Sequence, residues 1–279
     1  MLILGRVSWG ERLAARDSSV EGSEAVPVPQ RIISLGPSLT EALYTLGVSD
    51  NIVGVTTYCK KPIQAQEKTK VGTAMDVDVE KVLSLKPDLV LATSLSDANS
   101  IAKLKNLGVR VEEFPAAKNF EQLCEEFLRL SDLVVRHPEA EALLSKVRAD
   151  IDVIRAGAGR LSKPRVVVQV GANPLWVAPR DSFINDLVEF AAGINVIPSG
   201  TGHFSREKIL ELNPDVIIIT TMGIVGEEER TKWRQYQSLA AVKNNRIYVV
   251  DENKFCSPTP GGFVATLKET VKLLHPEYE

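Results

Sequence analysis

The chain reads as an α/β protein of two similar lobes, each built on an open, mostly parallel sheet, with one long α-helix between them. Three observations predict this. Residues 79–92 are answered 127 positions later by residues 206–219, with six of fourteen positions identical and most others conservative apolar exchanges. A single repeat at this separation implies two like units, whereas a solenoid needs several short repeats. On both sides of the midpoint, short apolar runs alternate with amphipathic helices in the β-α-β-α order of a parallel sheet. Between the repeats lies one long, charged, helically patterned stretch. Two lobes leave a cleft, and a cleft is where small ligands bind.

The elements follow in order. Ile32, Ile33 and Leu35 make a short strand ending at Gly36-Pro37-Ser38. Ser38 with Glu41 three residues on reads as a capping box, and the helix Leu39–Leu46 stops at Gly47. Ile52–Thr56 is a second strand, followed by a loop from Tyr58 to Pro62. In the first repeat, Asp76 or Asp78 caps a short helix carrying Val79, Val82, Leu83 and Leu85. Pro87-Asp88 is a turn. Leu89–Ala92 is wholly apolar, as suits a parallel strand covered on both faces. Helix Asn99–Leu107, strand Val109–Phe114 and helix Phe120–Leu130 complete the first unit.

Pro138 opens the connecting helix. Ala142, Leu143, Val147 and Ile151 recur at helical spacing from Glu139 to about Ile154, and Ala156–Gly159 breaks the pattern. The second unit restarts with strand Arg165–Val170, a loop at Gly171–Pro174 and a short extension at Leu175–Ala178. Ser182 caps helix Phe183–Phe190, and Asn195–Ile197 is a short strand. After the loop Thr201–Phe204, Ser205 caps helix Arg206–Leu212, and Val216–Thr220 is the second buried strand. Helix Trp233–Leu239, strand Arg246–Val250, loop Asp251–Gly262 and helix Phe263–Leu274 end the chain. The expected division is a leader over 1–30, a first lobe over 31–137, a connector over 138–160 and a second lobe over 161–279.

Composition narrows the function. A net charge of −3 gives no support for a nucleic-acid partner. No apolar run approaches the ~20 residues that span a bilayer. Cys59, Cys124 and Cys256 match no zinc spacing and no disulfide framework. The leader opens with a short apolar run and turns polar. Its core is too short for a secretory signal, and no small-residue cleavage site follows it. It reads as disordered or as the remnant of an export segment: either the protein is not exported, or the true start lies upstream.

Several segments, in this order and spacing, carry a resemblance that no single one carries. They are Arg31–Leu35 with Pro37–Glu41, the turns Lys86-Pro87-Asp88 and Asn213-Pro214-Asp215, Ala191–Val196, and Leu239–Val250 with the final helix. From Arg31 to Pro276 the chain resembles the substrate-binding proteins of ABC importers for cobalamin, iron siderophores and haem. Val53–Tyr58 followed by Pro62 is similar to the cobalamin-binding member. The resemblance implies Rossmann-like lobes, with ligand held between them, delivery to a dimeric ABC permease and an extracytoplasmic location. It implies a monomer that captures a corrinoid, or alternatively a ferric siderophore or haem. Because a helix strut hinges less than paired loops, modest closure is expected.

Glu80 and Glu207 hold the same place in the first turn of each repeat helix. The resemblance makes them one docking acid per lobe, aimed at permease arginines; two separated carboxylates would fix register on a two-fold partner. The plainer reading is an acid favoured by the helix dipole by ~0.3–1 kcal/mol. Tyr58 matches a tyrosine that packs on the corrin, as a flat aromatic face can; otherwise it is a half-buried surface residue. Trp176 and Phe255 sit in second-lobe loops where either could face ligand, and Trp176 could equally cover the sheet edge. Ala74 and Thr201 stand six residues before each acid, where the cobalamin binder has tryptophan. Gly261 and Gly262 stand where siderophore binders carry an arginine near Pro260. Both departures imply a roomier, less cationic cleft, which argues against a strongly anionic siderophore. His203 could ligate cobalt or iron or be a polar loop residue. Met75 and Met222 also fall near the cleft.

An enzyme of the same fold is the main rival. The chain lacks clustered cysteine ligands, a Gly-x-Gly-x-x-Gly turn, a Walker loop and a Gly-x-Ser-x-Gly elbow. Its three histidines offer no nucleophile–base pair. No catalysis, catalytic cofactor or structural metal is expected. A third reading is a cytoplasmic corrinoid or metal carrier, suggested by the missing export signal.

Overall fold

The computed structural model describes residues 28–220 and 226–277. Most of the leader, and Met222, lie outside the described residues. The first sheet contains β1 (Ile32–Ser34), β2 (Ile52–Val55), β3 (Thr69–Lys70), β4 (Leu89–Thr93) and β5 (Val111–Phe114), ordered β3-β2-β1-β4-β5. All its pairings are parallel. The second contains β6 (Arg165–Gly171), β7 (Trp176–Val177), β8 (Ile194–Asn195), β9 (Val216–Thr220) and β10 (Ile247–Val250), ordered β10-β9-β6-β7 with β8 also on β6. Only β7 among these runs antiparallel. The duplicated segments therefore lie in separate sheets, with β4 and β9 as the buried strands.

The repeat has a structural reason that its residues state. Helices α2 (Val79–Ser84) and α7 (Arg206–Leu212) are capped by Asp78 and Ser205, whose side chains accept from the N–H groups of Lys81 and Lys208. A left-handed residue follows each helix, Lys86 (φ 47°) just past the Leu85 C-cap of α2 and Asn213 (φ 40°) at the C-cap of α7, and the shared Pro-Asp comes next. Asp88 then accepts from the Arg31 N–H at 3.1 Å, and Asp215 from the Arg165 N–H at 2.8 Å. Each arginine reaches back to the helix's last carbonyls, Leu85 O at 2.7 Å and Leu212 O at 2.8 Å. The motif thus ties a helix end to the start of the neighbouring strand in both lobes.

The connector is α5 (His137–Ala158), longer than the spacing indicated at its C-terminal end. The Ala-Gly run does not break it, because Ala156, Gly157 and Ala158 carry no helix-incompatible group and Ala158 is buried. Its buried stripe is Ala140, Leu144, Val147, Ile151 and Ala158, a 4-3-4 seam; Ala142 is exposed and Leu143 half-buried. The seam packs on α4 (Phe120–Leu133), α6 (Phe183–Phe190) and α11 (Pro260–Leu274). One apolar core runs through these helices and both sheets. Phe120 bridges the lobes: its ring lies 4.7 Å from Phe263, and its backbone N–H donates to Asp186 at 2.7 Å. Burial, opposed by that hydrogen bond, raises the Asp186 carboxyl above the usual range.

Other local expectations are corrected. Helix α1 (Pro37–Thr45) starts two residues early on Pro37, with Gly36 at the N-cap, so Ser38 and Glu41 form no capping box. Proline suits the first helical turn, where its missing N–H costs nothing. The Ser182 hydroxyl donates to Pro179 O instead of capping α6. Helix α8 (Gly226–Arg234) covers only Trp233 and Arg234 of the predicted Trp233–Leu239, and α9 (Ala240–Lys243) follows the rest. Part of the predicted final loop is helix α10 (Glu252–Phe255). Helix α11 begins at Pro260, capped by Thr259, rather than at Phe263. No disulfide joins Cys59, Cys124 and Cys256, and Cys59 and Cys124 are buried.

Candidate functional site: the cleft at the strand ends

In a parallel α/β sheet, ligands collect outside the carboxyl ends of the strands, at the point where chain order reverses. In the first sheet that point lies between β1 and β4. There Gly36 approaches so closely that an added Cβ would stand 2.5 Å from Thr93 Cγ2. A pocket of about 190 Å³ opens at this place. Pro37, Ser38, Thr93, Ser94 and Leu95 line one wall, and the loop after β5, Pro115–Ala117, another. Phe183 and Cys256–Pro260 close it from the second lobe, so both lobes build it. Its floor is the apolar face of α1 and α4: Leu39, Leu123, Phe127 and Leu130.

Two polar contacts cross the cleft beside the pocket. The Thr259 hydroxyl donates to Glu41 Oε1 at 2.9 Å, so Glu41 reaches the second lobe instead of its own helix start. Lys61 Nζ lies 3.4 Å from Asp251 Oδ2. Both of those side chains are about half exposed, so this pair contributes little.

None of the sequence-predicted ligand residues is among the described residues that line this pocket. Tyr58 is 57% exposed in the loop after β2. Ala74 is half-buried after β3, and its carbonyl accepts from the Asp97 N–H at 2.9 Å. Trp176 and His203 form one unit: their backbones pair as an isolated bridge, and their rings meet edge to face at 4.2 Å. Thr201 and His203 are exposed, and Trp176 is 39% exposed. Gly202 permits this contact, since a Cβ there would stand 2.5 Å from both Trp176 Nε1 and Val177 O. Phe255 is corrected. It is wholly buried in the shared core, because α10 packs onto α11 and turns the ring inward; its neighbours Cys256 and Ser257 face the pocket instead. The pocket residues after β4 and β5 were missed. The signal for them was the strand order itself, which puts those two loops beside the reversal point.

Glu80 and Glu207 are both exposed at the second position of their helices. Each helix returns antiparallel to its sheet, so its N-terminus lies on the strand-end side, one acid per lobe. Its own backbone N–H, then the Ser205 hydroxyl, hold the Glu207 carboxyl below the usual range. Behind Glu207 lies a buried network. Glu229 of α8 is 2% exposed and accepts from Arg206 at 2.6 Å, Gln169 at 2.7 Å and Lys232 at 2.8 Å. Gln169 in turn accepts from the Trp233 indole at 2.7 Å. Burial pushes the Glu229 carboxyl up, but its three donors outweigh that and hold it below its ordinary value. Among the described residues no cluster of three or more His, Cys, Asp or Glu could hold a metal, and no helix is long and apolar enough to cross a membrane.

Comparison with known proteins agrees with this architecture. A family model described as "Periplasmic binding protein" matches residues 32–254. The uncharacterized ABC transporter substrate-binding lipoprotein YvrC of Bacillus subtilis (strain 168) is 33% identical over 260 residues, covering 89% of this chain and 81% of its own. The vitamin B12-binding protein of Vibrio cholerae serotype O1 is 26% identical over 242 residues, covering 85% and 86%. Among solved structures, a possible iron-binding (periplasmic solute-binding) protein of Staphylococcus epidermidis superposes with a TM-score of 0.78. It is 29% identical, covering 89% of this chain and all of that one. A matching family model over most of the chain, a duplicated lobe and a shared cleft lead to one conclusion: the chain belongs to the periplasmic binding protein family, as a substrate-binding protein of the ABC-transporter type.

Proposed function

We propose that this protein captures a corrinoid, outside the cytoplasm, in the cleft between its lobes and delivers it to an ABC permease dimer without chemical turnover. The observation that carries the reading is the pocket at the strand ends. Both lobes contribute to it, and among its described lining residues there is no lysine, arginine or histidine. Such a wall suits a ligand whose periphery is uncharged amide and hydrocarbon, and it gives no counter-charge to a polyanionic chelate. The similarity to a vitamin B12-binding protein supports the same choice. Tyr58 and the Trp176–His203 pair stand on opposite lobes as exposed rings, able to pack on a flat macrocycle that overhangs the pocket. Ala74 and Thr201 leave room at the rim. Glu80 and Glu207 dock the loaded protein.

A ferric chelate, siderophore or haem, is the alternative, favoured by the likeness to a possible iron-binding protein. Calorimetric titration with cyanocobalamin, cobinamide, haemin and a ferric hydroxamate separates the two. Saturable ~1:1 binding of a corrinoid with no change in the recovered ligand is the expected result. Binding of a ferric chelate with no heat from either corrinoid would refute the corrinoid assignment. For docking, Glu80→Ala with Glu207→Ala should leave ligand affinity intact and lower transport in cells; lost affinity would contradict that role.

A further inference from the structure

We infer that the pocket between α1, α4 and the Cys256–Pro260 loop is a separate subsite that seats an uncharged, ring-sized apolar arm of the ligand. The inference rests on the corrinoid reading and adds to it a part of the ligand that the rim does not touch. Size comes first. The pocket is about 190 Å³, whereas a cavity of about 150 Å³ lined by aliphatic and aromatic side chains stays dry and takes benzene. One or two fused rings fit, and a whole macrocycle does not. The corrin would therefore lie across the mouth while a pendant group enters.

Chemistry comes second. The floor is apolar and fixed: Leu39, Leu123, Phe127 and Leu130 are at most 8% exposed, and they belong to the core that both lobes share. Among the described lining residues the one carboxylate, Glu126, already pairs with Arg129 at 2.9 Å, so it is not a free counter-ion for a cationic arm. Hydroxyls of Ser38, Ser94 and Ser257 stand along the wall with the Cys256 thiol. They can meet a ring nitrogen or an ester oxygen, but they cannot neutralise a carboxylate. The second-lobe wall, Phe183 with Pro258–Pro260, is held in place by the Thr259–Glu41 hydrogen bond, so the subsite is formed only while the lobes stay in contact.

The test uses the full chain with cyanocobalamin, with cobinamide, which keeps the corrin but lacks the benzimidazole arm, and with free 5,6-dimethylbenzimidazole. Ala117, half-buried on the loop after β5, is replaced in an Ala117→Phe variant that fills the pocket from its mouth. Cyanocobalamin should bind at least tenfold more tightly than cobinamide. The variant should lower that ratio to near one by weakening cyanocobalamin alone. Free dimethylbenzimidazole should shift the amide resonances of Leu95 and Ala117 in the unsubstituted protein. Equal affinities for the two corrinoids overturn the inference, and so does a ratio unchanged by Ala117→Phe. If neither corrinoid binds, the functional reading fails by itself, and the benzimidazole titration still decides the subsite: shifts at Leu95 and Ala117 support it, and their absence overturns it. Should the variant not fold, the affinity ratio and the benzimidazole shifts of the unsubstituted protein decide alone.

Discussion

Replacing Glu229 by glutamine tests the buried network behind the second repeat helix, α7. The carboxylate is 2% exposed and accepts from three donors within 2.8 Å. Glutamine keeps the shape but removes the charge and turns one acceptor into a donor. Lys232 is 48% exposed and can turn to water, so its loss costs under ~1 kcal/mol. Arg206 is only 20% exposed, and its Nη1 is already buried without a partner, so its cation would be stranded. Breaking a buried ion pair costs ~3–5 kcal/mol; partial solvation of both cations places this case at the low end, about 3 kcal/mol. The folded-state pKa of Glu229 lies below its unfolded value near 4.5. Its contribution is therefore fully present above pH ~4.5 and fades as pH falls through the folded value. Urea unfolding followed by tryptophan fluorescence should show Glu229→Gln about 3 kcal/mol less stable at pH 7, with the gap narrowing at acid pH. Adding Arg206→Met should recover part of the loss. A deficit under ~1 kcal/mol, or one unchanged at low pH, would refute the reasoning.

Three further outcomes follow from the same geometry. Lys86 sits at φ 47°, where its twin in the second repeat is an asparagine, so Lys86→Asn should raise stability by ~0.5–1 kcal/mol in the same unfolding assay. Phe120 is 5% exposed and bridges the lobes against Phe263; Phe120→Ala should cost ~3–5 kcal/mol and increase proteolysis between the lobes. Asp186 is raised by burial, so its stabilising contribution is present at low pH and lost as pH rises through its folded value. Asp186→Asn, which keeps an acceptor for the Phe120 N–H, should match or exceed the parent at pH 7 and lose that advantage at pH 4 by thermal unfolding.

Much of this protein was legible where short-range chemistry decides. The repeat helices, their Asp78 and Ser205 caps and the apolar strands β4 and β9 follow from local pattern, and the structure keeps them. The errors came where distant contacts decide. Glu41 satisfies a hydrogen bond to Thr259, 218 positions away in sequence, so its capping-box spacing to Ser38 was coincidental. Phe255 resembled an exposed loop aromatic because nothing nearby shows that α10 will pack on α11. The α5 seam was offset because Ala140 and Leu144 are chosen by the helices they meet, and both stretches of that helix offer alanines and leucines. The pocket after β4 and β5 carries ordinary serine, alanine and proline, whose role comes from strand order and not from residue type.

The proposed corrinoid site lies between the lobes at the carboxyl ends of both sheets. Crystals grown with cyanocobalamin and measured at the cobalt absorption edge test it most directly. One anomalous peak per chain is expected in the gap between the Tyr58 loop and the Trp176–His203 pair, above the pocket at Ser94 and Ala117. A cobalt peak on an outer face of either lobe, or no peak at saturating ligand, would contradict it.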